Sequence, residues 1–369
     1  MLKILRHALL LILLILAALA PQWQSLEAMG ERRLAWHTDP PHELIVGVSW
    51  PFAARQDGMA DGLRLAQEQI NAAGGLPVRL ILRDDRDDAE DSRRIAMDFA
   101  DTPGLSAVIG YHDDILATRA SAIFESSRLL HLVVGTLTPS LTMHGHDYLV
   151  RMAPSSDRLA RALATAASQP IRYAVIAEDE PYAREIADQF RIGTSTPRDR
   201  QVYEWSYPRE RMDFARPIAE MTSIAPDVVF FAGHGHAAAD FLRLARARGL
   251  NTLALIASAD IEETRRLAGP AFRDVLAPQF YDPDAHTPQN QTFVRAFLAK
   301  YGHAPDLWAA QGYDALNLVA KAAAIAGSAH PRDLALTIRH MPAWDGAAGR
   351  CEFDGHGDLV SRPIVTQRF

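Results

Sequence analysis

From residue 44 onward, short runs of β-branched and other apolar residues alternate with longer stretches whose apolar positions recur every three to four residues. That alternation is the pattern of parallel sheets covered by helices: a strand buried on both faces is apolar throughout, while a covering helix is apolar on one side. Residues 44–48 read as a buried strand, and the helix after it sets Met59, Leu63, Ala66 and Ile70 on one face. Gly74 and Gly75 end that helix, since glycine takes a left-handed cap without steric cost, and a strand over 78–82 follows. The beat continues with a strand over 107–109 before a helix over 115–126, and with 131–134 before the turn at Pro139. One lobe therefore ends near Arg151. The pattern restarts with strands at 173–177, 202–205, 228–231 and 252–257, each leading into a helix, which makes a second lobe. After Pro278 come long helices with little strand between them, 288–301, 308–326 and 331–340, expected to return to the first lobe. No low-complexity linker separates the halves, so they should touch through short crossovers.

Composition narrows the function. A chain of 369 residues suits two lobes, and 48% hydrophobic with 22% charged residues is ordinary for a globular protein. A net charge of −7 argues against nucleic acid or an anionic membrane surface as partner. The single cysteine, Cys351, excludes an intramolecular disulfide and a cysteine-rich zinc module. At the N-terminus Lys3 and Arg6 precede an unbroken apolar run of 13 residues, Ala8 to Ala20. A membrane span needs about 20 residues and a secretory signal about 7–15, so residues 1–20 read as an export signal and 21–43 as a leader to the fold. Pro21 directly follows the small residues that suit cleavage and should resist the peptidase, which keeps an uncleaved anchor open as the alternative.

Several segments, in order and over nearly all of 44–360, resemble the type I periplasmic binding proteins, in particular the leucine/isoleucine/valine and amide class of ABC-importer receptors. They include Gln69-Ile70-Asn71-Ala72-Ala73-Gly74-Gly75, Arg83-Asp84-Asp85, Ala107-Val108-Ile109-Gly110 and Thr136-Leu137-Thr138-Pro139-Ser140-Leu141-Thr142. Further on come Glu180-Pro181-Tyr182, Pro226-Asp227-Val228-Val229-Phe230-Phe231-Ala232-Gly233, Ala268-Gly269-Pro270-Ala271, Gly312-Tyr313-Asp314-Ala315 and Phe353-Asp354-Gly355. The resemblance implies an α/β fold of two doubly wound parallel-sheet lobes joined by three crossovers. It assigns 44–152 and 280–342 to the first lobe, and 153–279 and 343–369 to the second. It implies an exported, monomeric substrate-binding protein in the periplasm. Such a protein captures a small polar solute by hinge closure and hands it to an ABC permease, without cofactor, metal or catalysis. A sensory receptor subunit is the alternative, and a hydrolase of small amides a weaker one. General physics points to the same place for the ligand, because open α/β sheets bind at the carboxyl ends of their strands.

Asp114 stands near the start of the helix over 115–126, either as its cap or facing the ligand. The resemblance places it where amino-acid binders carry a serine for the ligand carboxylate, and places Leu137, beside Gly135 and Thr136, where they carry a threonine. Two like charges about 4 Å apart cost ~4 kcal/mol at an effective dielectric of about 20, roughly a thousandfold in affinity. An α-carboxylate is therefore a poor ligand group here, and an amine, amide or neutral polar solute a better one. Asp87 and Asp113 replace the relatives' loop disulfide and add acid at the cleft mouth. Tyr182 matches the tyrosine with which the second lobe closes over ligand, and His234 lies where relatives carry a tyrosine. Ser258 and Asp260 straddle the position of an acid for the ligand's amino group, though Asp260 also suits a helix cap. Trp50 is a cleft wall or a core residue. His234 and His236, two apart in a loop, lack the third ligand that zinc needs. Neither a nucleophile elbow, a phosphate loop nor a zinc-protease helix motif stands in the sequence.

Overall fold

A computed structural model describes residues 25–33, 35–37, 39–167, 172–194, 200–362 and 364–369. In the first lobe β1 (Leu44–Trp50), β2 (Val78–Asp84), β3 (Leu105–Ile109), β4 (Leu130–Val133) and β5 (Leu149–Arg151) form a parallel sheet in the order β2-β1-β3-β4-β5. β1 and β3 are buried at every position because helices cover both faces. On one face the helices Met59–Ala72 and Leu307–Ala326 bring Leu63, Ala66, Leu316 and Val319 onto the sheet. On the other, the helices Ala89–Ala100 and Asp114–Ser126 contribute Ile95, Phe99, Ala117 and Phe124. The two helices of the first face cross so tightly that a Cβ on Gly62 would stand 2.0 Å from the Ala309 carbonyl oxygen.

The second lobe holds β6 (Arg172–Glu178), β7 (Arg200–Tyr207), β8 (Val228–Ala232), β9 (Leu253–Ala257) and β10 (Val275–Gln279). A hairpin, β11 (Trp344–Gly346) with β12 (Gly349–Cys351), and a last strand, β13 (Val365–Arg368), complete the chain. The second sheet runs β13-β10-β9-β8-β6-β7, parallel except that β13 lies antiparallel on β10. The chain passes between the lobes three times: after β5, after β10, and between Leu359 and β13.

One segment sits differently from expectation. Residues 343–359, expected with the second lobe, pack on the first. Cys351, Phe353 and Leu359 belong to the first lobe's core, and Leu359 N–H donates to the Arg151 carbonyl at the end of β5. The return crossing therefore falls near residue 360 instead of 343. The reason is apolar burial: the alternation of Cys351, Phe353 and Leu359 matches the open edge beside β5. Within the leader, residues 25–33 are helical and dock under the first lobe. Arg33, fully buried there, donates to the carbonyls of Ala100, Leu105 and Ser127 at 2.6, 3.2 and 2.9 Å. Residues 1–20 and Pro21, read as the export signal, lie outside the described residues. Among the described residues no helix is long and apolar enough to cross a membrane.

Candidate functional site

Loops leaving the carboxyl ends of β1, β3 and β4 in one lobe, and of β6, β7, β8 and β9 in the other, meet in the cleft. The loop after β3 enters the helix Asp114–Ser126, and its cap is Asp113, whose carboxylate accepts the N–H groups of Ile115 and Leu116 at 2.8 and 3.1 Å. The capping alternative for Asp114 is thereby removed. Asp114 is the first helical residue, and its carboxylate accepts a 2.8 Å hydrogen bond from the Thr138 hydroxyl. Burial pushes its pKa up, and the Thr138 bond offsets this only in part. The Thr136 hydroxyl, fully buried, leans on the same carboxylate without completing a hydrogen bond.

Three other acids of the cleft, Asp113, Glu178 and Asp260, are ion-paired. Asp113 turns its second oxygen to Arg209 Nη2 at 2.8 Å, and Arg209 Nε donates to Glu178 at 2.9 Å. His234 lies 2.6 Å from Glu178 through Nδ1 and 3.5 Å from Asp113 through Nε2, and it also touches Arg209. Burial alone would discharge His234, but its bonds to Asp113 and Glu178 outweigh that and lift its pKa to about 9. Two cations thus stand together between two carboxylates, one from each lobe.

A second bridge lies across the cleft. Arg55, only 10% exposed, donates to Asp57 at 2.7 Å and to Asp260 at 2.8 Å, approaches Glu263 at 3.5 Å, and lies 5.6 Å from the ring centre of Trp308. His112 meets the other oxygen of Asp260 at 2.9 Å and Asp87 at 3.8 Å. Burial opposes its charge, yet the pair with Asp260 raises its pKa overall. Asp260, expected either to cap its helix or to meet ligand, makes no side-chain cap bond and joins the lobes through Arg55 and His112 instead.

The remaining candidates fall around these bridges. Trp50 is fully buried in the first lobe's core, edge-on beneath His112 and beside Trp308 at 5.3 and 5.0 Å. Tyr182 donates to the Ala257 carbonyl at 2.8 Å, and Asp114 and Asp260 both act on its phenol, whose pKa burial and these charges raise. The Ser258 hydroxyl accepts the Asp260 N–H at 3.1 Å. Gly135 lets two loops touch, since a Cβ there would stand 2.8 Å from the Tyr111 carbonyl oxygen. Leu137 points away into the second lobe's core, while its carbonyl accepts Arg151 and Ser156. Sequence reading missed Arg55, His112, Glu178 and Arg209. Each lies at or just beyond the carboxyl end of a strand, the one signal that would have found them. Beside the Arg55–Asp260 bridge opens a cavity of about 670 Å³, walled by both lobes.

Two doubly wound lobes, crossed three times by the chain and closed on a polar cleft, define a two-lobed α/β receptor for small solutes. The chain belongs to the periplasmic binding protein family, whose profile matches residues 44–368. The leucine-specific-binding protein of Salmonella typhimurium is 29% identical over 330 residues, 85% of this chain and 87% of that one. An amino acid binding protein of Pseudomonas aeruginosa is 25% identical over 339 residues, 88% of this chain and 89% of that one. Among solved structures, an ABC transporter substrate-binding protein from Desulfitobacterium hafniense in complex with Leu superposes with a TM-score of 0.79 at 30% identity. The match covers 89% of this chain and 97% of that one.

Proposed function

We propose that the protein is the solute-capturing subunit of an ABC importer, and that its ligand presents a cationic or donor-rich polar group to Asp114. The carrying observation is the state of the acids. Asp113, Glu178 and Asp260 are matched to Arg209, His234, Arg55 and His112, whereas Asp114 has only hydroxyl partners. A half-buried carboxylate with no ion-pair partner favours a ligand that brings one, because charge interactions strengthen as water is excluded. The relatives' affinity for leucine supports a solute of that size. The Asp114 departure turns the preference from an α-carboxylate toward an amine, guanidine or amide.

Binding runs by lobe closure. Solute settles on one lobe, and its contacts with the other shift the equilibrium toward the closed form that a membrane permease recognises. No chemistry on the solute is proposed, since the cleft histidines His112 and His234 are held by carboxylates. Residues 1–20 direct the chain across the inner membrane.

The test is a thermal-shift screen of amines, amides and amino acids, followed by titration calorimetry on the wild type and Asp114→Asn. Because Asp113 holds the cap, the variant should fold normally. It should bind the selected solute more weakly by about 1.5–3 kcal/mol, the worth of a charged hydrogen bond. Micromolar leucine binding by the wild type, or unchanged affinity in the variant, refutes the reading.

A further inference from the structure

The cavity beside the Arg55–Asp260 bridge does not include Asp114 among its lining residues, and its walls have a chemistry of their own. Asp57, Asp260, Glu262, Glu263 and Asp306 line it, five carboxylates against the guanidiniums of Arg55, Arg265 and Arg266. Arg265 and Arg266 are rim residues, 55% and 64% exposed, each beside a glutamate of its own helix. Four aromatic side chains, Phe280, Tyr281, Trp308 and Phe369, supply the apolar wall. A cation already lies against that wall. The Arg55 guanidinium stands 5.6 Å from the Trp308 ring centre with Asp57, Asp260 and Glu263 around it, so its own charge is more than offset. Aromatic faces together with an excess of carboxylates attract organic cations. A volume of about 670 Å³ also exceeds what Arg55 fills.

Asp114 and the cavity are linked through Asp260. Asp260 lines the cavity and holds His112, which precedes Asp114 by two residues in the same loop. Tyr182 stands within electrostatic reach of both Asp114 and Asp260. The geometry points to a cleft built for a linear solute with two separated ammonium groups, one on Asp114 and the other in the aromatic cavity past Asp260. This rests on the reading of Asp114 given above and adds the second site and the class of solute. A compact monoamine fills only the first site. A diamine or short oligoamine fills both, and the bridge between them closes over its methylene chain.

Titration calorimetry on the full mature chain with 1,4-diaminobutane, spermidine and n-butylamine tests it. The two oligoamines should bind at least tenfold more tightly than n-butylamine. The double variant Glu262→Gln/Glu263→Gln, with side chains 64% and 33% exposed and its fold checked by thermal melting, should cost the oligoamines several-fold more than the monoamine. Asp114→Asn should weaken all three. Equal affinity for mono- and oligoamine, or no oligoamine binding by the wild type, overturns the second site. An Asp114→Asn protein that keeps its n-butylamine affinity instead overturns the reading of Asp114.

Discussion

Replacing His234 by Gln tests the charge circuit that spans the cleft. The imidazole is 21% exposed, 2.6 Å from Glu178 and 3.5 Å from Asp113. Its pKa in the folded chain is about 9 against an ordinary value of 6.5. The folded protein therefore keeps a proton over a range in which the unfolded chain has lost it, and unfolding releases that proton. At about 1.4 kcal/mol for each tenfold in proton affinity, the gap corresponds to ~3 kcal/mol. This stabilisation is complete below about pH 6.5 and disappears as the pH rises through about 9. Glutamine retains one hydrogen bond to Glu178 without the charge, and Arg209 remains in both proteins. Urea denaturation of wild type and His234→Gln, from about pH 6 to about pH 10, measures the difference directly. The wild type should lead by a margin that is largest at the acid end and shrinks by ~3 kcal/mol at the alkaline end. A margin that stays flat across the range would mean that His234 carries no linked proton, and the circuit as described would be wrong.

Arg209→Gln removes the strongest cross-cleft contact of that circuit, so X-ray scattering of the solute-free protein should show a larger radius of gyration than the wild type; identical profiles count against a latch. Gly62→Ala should lower stability by ~2–3 kcal/mol in the same denaturation assay, because its Cβ meets the Ala309 carbonyl at 2.0 Å and the backbone must give way. Arg33→Met leaves the carbonyls of Ala100, Leu105 and Ser127 without their donor and should cost about 3 kcal/mol, whereas a loss below about 0.5 kcal/mol would show the leader helix to be dispensable.

Most parallel strands were legible because they are apolar runs bounded by turn residues, whereas β5, three residues long, and β10, interrupted by Pro278, were not read. β7 extends beyond the run at 202–205 to Arg200–Tyr207, because at a sheet edge its alternate positions face solvent and leave the apolar pattern weak. β13, Val-Thr-Gln-Arg and mostly exposed, carries no strand pattern, since only backbone bonds to β10 define it. The three-residue strands of the hairpin are too short to show any period. At the site, sequence placed Asp114, Tyr182 and Asp260 just beyond strand ends, which is where they lie, because that position follows from strand position. It could not place their partners. Arg55 and Asp260 are 205 residues apart and Arg209 and Asp113 are 96 apart, so nothing local couples them. The cap moved by one residue, from Asp114 to Asp113, since aspartates at adjacent positions satisfy the same pattern and only backbone angles choose between them.

The crossing of the helices Met59–Ala72 and Leu307–Ala326 has a consequence for biogenesis. One face of the first sheet is complete only when a helix that starts at Leu307 has been made, although the last strand of that sheet ends at Arg151. At about 5–20 residues per second, synthesis leaves that face uncovered for roughly ten to thirty seconds. Through that interval the nascent chain has nothing stable to fold into, which suits a polypeptide that must be threaded unfolded through a narrow translocation channel. The same delay exposes β1, apolar along its whole length, to aggregation. Overproduction in a compartment without export chaperones should therefore yield inclusion bodies, and a truncated sheet domain that never gains the helix from Leu307 should aggregate sooner still.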